Sequence, residues 1–170
     1  MTTARPDPAS SAGRTPGTGR SPIQIASLVY GVIFLLVGIA GFIPGLTADV
    51  GSMQLAGHHS EAMLMGIFQV SILHNVVHLL YGIAGLALAS RPSLARLYFL
   101  VGGAVYLVLW IYGLVIGDHS MANFVPLNTA DDWLHFVLGV SMIGLSFLPR
   151  LGPGRTATAT QYGGAEHGRH

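Results

Sequence analysis

The chain has 170 residues, of which 51% are hydrophobic and only 9% charged, with a formal net charge of +1 and no cysteine. A soluble domain carries about 25% charged residues, so there are too few here for an ordinary water-facing surface. The near-neutral balance excludes nucleic acid as a partner, and the lack of cysteine excludes disulfides, thiolate metal sites and cysteine nucleophiles.

Residues 1–22 are mostly Pro, Gly, Ser, Thr and Arg, which have little to bury, and read as a disordered tail. A first apolar stretch follows at about 23–43 and stops at Pro44-Gly45. It is longer than the apolar core of a signal peptide, about 7–15 residues, and no Ala-x-Ala site follows it, so it reads as a retained helix. In the next loop, His58 and His59 read as solvated side chains. A second stretch covers about 62–89 and stops at Arg91-Pro92, a third about 94–116 and a fourth about 129–148. Residues 150–170 form a second polar tail in which His167 and His170 carry no assignment. Each stretch suffices to cross a hydrocarbon core, which takes roughly 20 apolar residues. Helices are the expected form, because backbone in lipid must satisfy its own polar groups. The expected fold is therefore all-α: an integral membrane four-helix bundle over 23–149.

Charge orients it. There is no lysine, and all eight basic residues are arginines. In a four-pass trace Arg5, Arg14, Arg20, Arg91, Arg96, Arg150, Arg155 and Arg169 fall on one side. Asp49, Glu61, Asp118, Asp131 and Asp132 fall on the other. By the positive-inside rule both termini are cytoplasmic.

The second and fourth stretches share a pattern. Asn75-Val-Val-His78-Leu-Leu-Tyr-Gly82 matches Asp132-Trp-Leu-His135-Phe-Val-Leu-Gly139 as [Asn/Asp]-x-x-His-x-x-x-Gly. Gly31 and Gly41 of the first stretch fall opposite Gly103 and Gly113 of the third. Two parallel copies of a helix hairpin follow from this. Counting from Arg91 and Arg150, His78 and His135 stand at nearly one depth, roughly 20 Å along their helices. His74 is one turn from His78 on the same face. Gly82 and Gly139 each leave a side-chain-free spot one turn below a histidine, where a helix or a flat ligand can approach.

Polar side chains in such helices turn inward and seek partners. His74, Asn75, His78, Asp132 and His135, with Asp131 in the place of His74, therefore form one candidate centre. The first reading is a hydrogen-bond clasp between the second and fourth helices, in a non-enzymatic protein that packs with itself or with a membrane partner. The rival is a redox protein in which His74, His78 and His135 hold a divalent metal or haem. A third is a small proton-coupled permease. Asp132 also suits a helix cap, since Thr129-Ala-Asp-Asp132 has the Thr-x-x-acid form, and Asn128 can cap as well. No phosphate-binding loop, hydrolase elbow, zincin pair or dinucleotide fingerprint is present.

Three strings carry a family resemblance. Pro22-Ile-Gln-Ile-Ala-Ser-Leu-Val-Tyr-Gly31, the His74-Asn-Val-Val-His78-Leu run, and Leu127-Asn-Thr-Ala-Asp-Asp-Trp-Leu-His135 resemble the small bacterial membrane proteins filed as domain of unknown function 4383. The resemblance covers about residues 22–149. It implies a multi-pass protein of the bacterial plasma membrane surrounded by lipid, and no activity or ligand residue.

Overall fold

The computed structural model describes residues 19–117 and 120–150. Most of the expected tails, with Arg5, Arg14, Arg155, Arg169, His167 and His170, lies outside the described residues, as does Asp118. The described chain is mostly helical: α1 (Pro22–Ala40), α2 (Ile72–Leu88), α3 (Pro92–Val115) and α4 (Thr129–Leu145). The all-α class holds, with one small sheet added.

The start of α1 is fixed by side chains that sit together in sequence. The Ser21 N–H donates to Gln24 Oε1 at 3.0 Å, and Pro22 occupies the first helical position, where no N–H is needed. Ser21 is buried, so the expected tail gives way to structure just before residue 22. Gln24 Nε2 donates to the Ala89 carbonyl at 2.9 Å, and Ser27 Oγ to that of Gly85 at 2.7 Å. These bonds set the beginning of α1 against the end of α2, so the two helices run antiparallel.

The second helix begins about ten residues later than its apolar run. Residues leading into it fold instead as an antiparallel sheet of β1 (Thr47–Ala48), β2 (Met63–Leu64) and β3 (Phe68–Gln69), in that order. Met65 and Gly66 turn the β2–β3 hairpin with φ of 54° and 70°, the positive-φ geometry of a primed turn. Glycine takes that conformation without strain. The strands bury Ala62, Leu64 and Val70 against Val37 and Ala40 at the end of α1. An apolar run does not by itself distinguish a buried strand from a buried helix, and here the strand forms. Smaller differences occur elsewhere: α3 starts at Pro92 and α4 ends at Leu145.

α1 packs along α2, and α3 along α4. The two pairs meet mainly where α3 faces α1 and α2. Their shared core holds Ile23, Phe34, Phe99, Tyr106 and Met142. Tyr30 also reaches across from α1 to α4, its hydroxyl 2.9 Å from Ser141 Oγ. The outward faces are apolar. Leu36 and Leu80 are both 60% exposed, Val108 is 65% exposed and Val137 59%. Among the described residues two helices, α1 and α3, are long and apolar enough to cross a membrane, and 28% of the 18-residue apolar stretch of each is buried inside the protein.

Candidate functional site

Ser71 caps α2: its Oγ accepts from the His74 N–H at 3.1 Å, which sets His74 in the first turn and His78 in the next. Both imidazoles are buried, each 8% exposed, with ring centroids 4.6 Å apart. On α4, His135 is 2% exposed, and its ring lies 6.1 Å from that of His74. The three histidines are thus brought together, with His74 as the bridge across to α4. The ring neighbours of His78 are His74 and Phe34 on α1.

The expected clasp is not made through the Nδ1 atoms of these rings. Nδ1 of His74, of His78 and of His135 is buried without a hydrogen-bond partner. The tie between the α2 and α4 regions runs instead through the α4 cap. Asn128, not Thr129, is the capping residue, and its Oδ1 accepts from the N–H groups of Ala130 at 2.9 Å and Asp131 at 3.0 Å. Asp131 Oδ2 accepts in return from the Asn128 N–H at 3.1 Å and from the Gln69 N–H of β3 at 3.0 Å. Asn128 Nδ2 donates to the Ile67 carbonyl at 2.8 Å. Asp131 therefore pins the hairpin to α4, the position that Asp132 was expected to take as cap acid.

Asp132 and Asn75 lie to the side of the histidines, in equivalent niches. The Asn75 carboxamide fills the space that a side chain at Gly41 would need, and the Asp132 carboxylate does the same at Gly113. Asn75 Nδ2 also points at Met53 Sδ, 3.7 Å away.

The equivalence extends through both hairpins. A Cβ on Gly31 would stand 2.9 Å from the Gly82 carbonyl oxygen, and one on Gly103 would stand 2.9 Å from that of Gly139. The next neighbours match as well, Leu86 at Gly31 and Ile143 at Gly103. Gly82 packs on Leu35, and Gly139 on Leu107. Phe34 lies 5.7 Å from His78 by ring centroids, and Tyr106 lies 5.2 Å from His135. All these pairs keep one constant sequence offset between α1 and α3 and another between α2 and α4. So the side-chain-free spots below the histidines are filled by the partner helix of the same hairpin.

Two cavities flank the histidines and touch all three. The larger, about 290 Å³, lies between α2 and α3 beside Val77, Tyr81, Val105 and Tyr106, with Phe124 at its outer end. The smaller, about 160 Å³, lies between α1 and α4 beside Ile33, Phe34, Leu134 and Leu138, with Met65 and Phe68 at its outer end. These walls are also equivalent in the two hairpins: Val105 answers Ile33, Tyr106 answers Phe34, Val77 answers Leu134 and Tyr81 answers Leu138. His74 lines both cavities, and Asp131, at the matching position of α4, lines the smaller one only.

For the rival reading of a metal centre, no group of three or more His, Asp or Glu among the described residues is placed to hold one ion. The rings of His58 and His59 lie 4.0 Å apart by centroids and tilted by 38°, in the connection before β2. The sequence reading missed Phe34, Tyr81 and Tyr106 as walls of the site. A signal existed for two of them, since Phe34 and Tyr106 each stand three residues after the matched Gly31 and Gly103.

Comparison with curated proteins and with solved structures finds no match. The model of one protein family matches residues 24–148, a span that takes in nearly all of the four helices. On that match, the chain belongs to the family described as domain of unknown function (DUF4383).

Proposed function

We propose that this protein is a four-span integral membrane protein of the bacterial plasma membrane, built from two copies of a helix hairpin, and that it works by binding rather than by catalysis. The observation that carries this reading is an inverted polarity. Val, Ile and Leu cover the outward faces of the helices, while Ser27, His74, Asn75, His78, Asp131, Asp132 and His135 are buried beside the aromatic core of Phe34, Phe99 and Tyr106. A water-soluble helical protein has the opposite arrangement. In lipid, polar groups belong inside and an apolar outer face costs nothing.

Charge and length support the same reading. Arg20, Arg91, Arg96 and Arg150 gather at the end where Gln24 meets Ala89, and both termini belong there. Asp49 and Glu61 lie in the connection at the opposite end. α2 and α4 have 17 residues each, about 25 Å of helix, which is short of a hydrocarbon core of about 30 Å. The hairpin and the α3–α4 connection make up the outer depth, and irregular backbone is tolerated there where protein buries it. Trp133, 54% exposed, stands near that outer end as an interface anchor.

The test uses the absence of native cysteine. Leu55→Cys, at a site 70% exposed in the first connection, is expected to react with a membrane-impermeant maleimide on intact cells. Ser90→Cys, between α2 and α3, is expected to react only after permeabilisation. Labelling of Ser90→Cys from outside, or of both sites equally, rejects the reading.

A further inference from the structure

We infer that the seam between α3 and α4, at the end where α3 begins, holds the phosphate of an anionic phospholipid, with Arg96 as its anchor and Arg150 at its rim. This inference rests on the four-span reading above, which puts that end in the cytoplasmic leaflet.

The site appears where the two hairpins stop matching. The offsets that relate them carry Gln24 of α1 onto Arg96 of α3, and Ala89 at the end of α2 onto Ser146 at the end of α4. In the first hairpin this position closes on itself. Gln24 Nε2 donates to the Ala89 carbonyl at 2.9 Å, and Gln24 Oε1 accepts from the Ser21 N–H at 3.0 Å. In the second hairpin Arg96 Nε is buried with no hydrogen-bond partner. A guanidinium also has no acceptor atom to offer its own helix start. Arg96 stands about two turns before Gly103, and Gly103 packs on Gly139 and Ile143 of α4. It therefore lies on the side of α3 that faces the end of α4. The residue as a whole is half-buried, so part of its side chain meets the surroundings.

Charge selects an anion. Asp49, Glu61, Asp131 and Asp132, the acidic residues among those described, all lie toward the opposite end. Arg20, Arg91 and Arg150 share the end with Arg96 and add only positive charge. Arginine stays ionised throughout the physiological range, and a half-buried charge without a counter-ion is costly. Its fork of N–H groups matches the oxygens of a phosphate.

Depth selects a lipid as the source. α3 has 24 residues, about 36 Å of helix, which exceeds a hydrocarbon core of about 30 Å. Arg96, in its second turn, thus stands at the boundary where phospholipid phosphates begin. Leu97 and Phe147 are 51% and 73% exposed and give acyl chains an apolar surface beside that level. Basic pockets between membrane helices on the cytoplasmic side are suited to acidic headgroups.

The experiment follows thermal unfolding of the full chain in a non-ionic detergent, with dioleoyl phosphatidylglycerol, dioleoyl phosphatidylcholine or inorganic phosphate added. A saturable rise in Tm is expected with phosphatidylglycerol alone. Arg96→Gln, which installs the residue of the first hairpin, is expected to raise the half-saturating lipid concentration about tenfold. Arg150→Gln, at an exposed site, is expected to raise it about fivefold and guards against Arg96→Gln failing to fold. Arg20→Gln, at the start of α1, is expected to change it less than about twofold, since salt screens charges outside the seam. No rise with phosphatidylglycerol, or an equal rise with phosphatidylcholine, overturns the inference. So does a rise with inorganic phosphate, which would mark a site for a soluble anion. Loss in Arg20→Gln as large as in Arg96→Gln would mark diffuse attraction and overturn it too, as would unchanged response in both Arg96→Gln and Arg150→Gln. Failure here with maleimide labelling as expected rejects the lipid site alone, whereas failed labelling rejects the four-span reading beneath it.

Discussion

Phe34 and Tyr106 lie ring over ring, 5.8 Å apart and 11° from parallel, and they occupy the same position in the two hairpins. Each also touches the histidine of its own hairpin, Phe34 reaching His78 and Tyr106 reaching His135. Residues at matching positions of the two hairpins thus meet each other where the hairpins face. This ring pair therefore sits where the hairpins join, between the two cavities, and holds the separation on which both cavity volumes depend.

Removing either ring opens that junction. Phe34→Ala and Tyr106→Ala are each expected to destabilise the protein by about 3–5 kcal/mol, the usual cost of truncating a buried aromatic residue. Because the rings touch, the double variant is expected to cost less than the sum of the singles. Denaturant unfolding in detergent measures all three, and strict additivity would mean that the rings do not act as a pair.

Within each hairpin the helices approach through glycine. A Cβ on Gly82 would stand 2.6 Å from Leu35 Cγ, and one on Gly139 2.8 Å from Leu107 Cγ. Gly82→Ala and Gly139→Ala are each expected to cost about 1–3 kcal/mol by overpacking. Gly144, also in α4, has open space around it. Gly144→Ala is expected to be neutral or to stabilise by up to about 1 kcal/mol, since alanine is the better helix former. Thermal melting of the three variants side by side checks the contrast, and equal effects at all three sites would contradict it.

Much of the centre was legible because polar residues stand out in an apolar run: the matched Asn75-x-x-His78 and Asp132-x-x-His135 patterns fix which helix faces turn inward. Two other features were not. The cap of α4 satisfies the same spacing at Asn128/Asp131 and at Thr129/Asp132, and the choice falls to Gln69, far away in sequence, whose N–H reaches Asp131. The start of α2 was hidden because Ala62, Met63, Leu64 and Phe68 suit strand and helix alike. What decides the matter is the end of α1, where Val37 and Ala40 offer the hairpin a surface to bury against. The cavities could not be read at all. Each is made by side chains from four segments that are separated in sequence, and a volume left unfilled has no residue of its own.

Asp131 connects these two illegible features. Asp131→Ala removes the acceptor for two N–H groups, one in the cap and one in β3. A loss of about 1–2 kcal/mol is expected. Hydrogen exchange is the sharper readout: the Gln69 amide is expected to exchange faster as the hairpin loosens, while amides in the middle of α3 stay protected. Uniform acceleration across all helices would show that Asp131 acts on global stability instead.

The hydrogen bonds between helices are expected to matter less than the glycines. Tyr30 Oη lies 2.9 Å from Ser141 Oγ, and Ser141 Oγ also reaches the Leu138 carbonyl of its own helix at 2.9 Å. Tyr30→Phe therefore leaves Ser141 with a partner, and the ring of Tyr30 keeps its edge contact with Phe99 at 5.4 Å. In the proposed four-span arrangement this is a contact between membrane helices; such contacts average about 0.6 kcal/mol, and a change of that size is expected. If Tyr30→Phe proved as costly as Gly82→Ala, polar contacts rather than close backbone approach would be holding the helices, and the order of effects argued from the glycine contacts would be reversed.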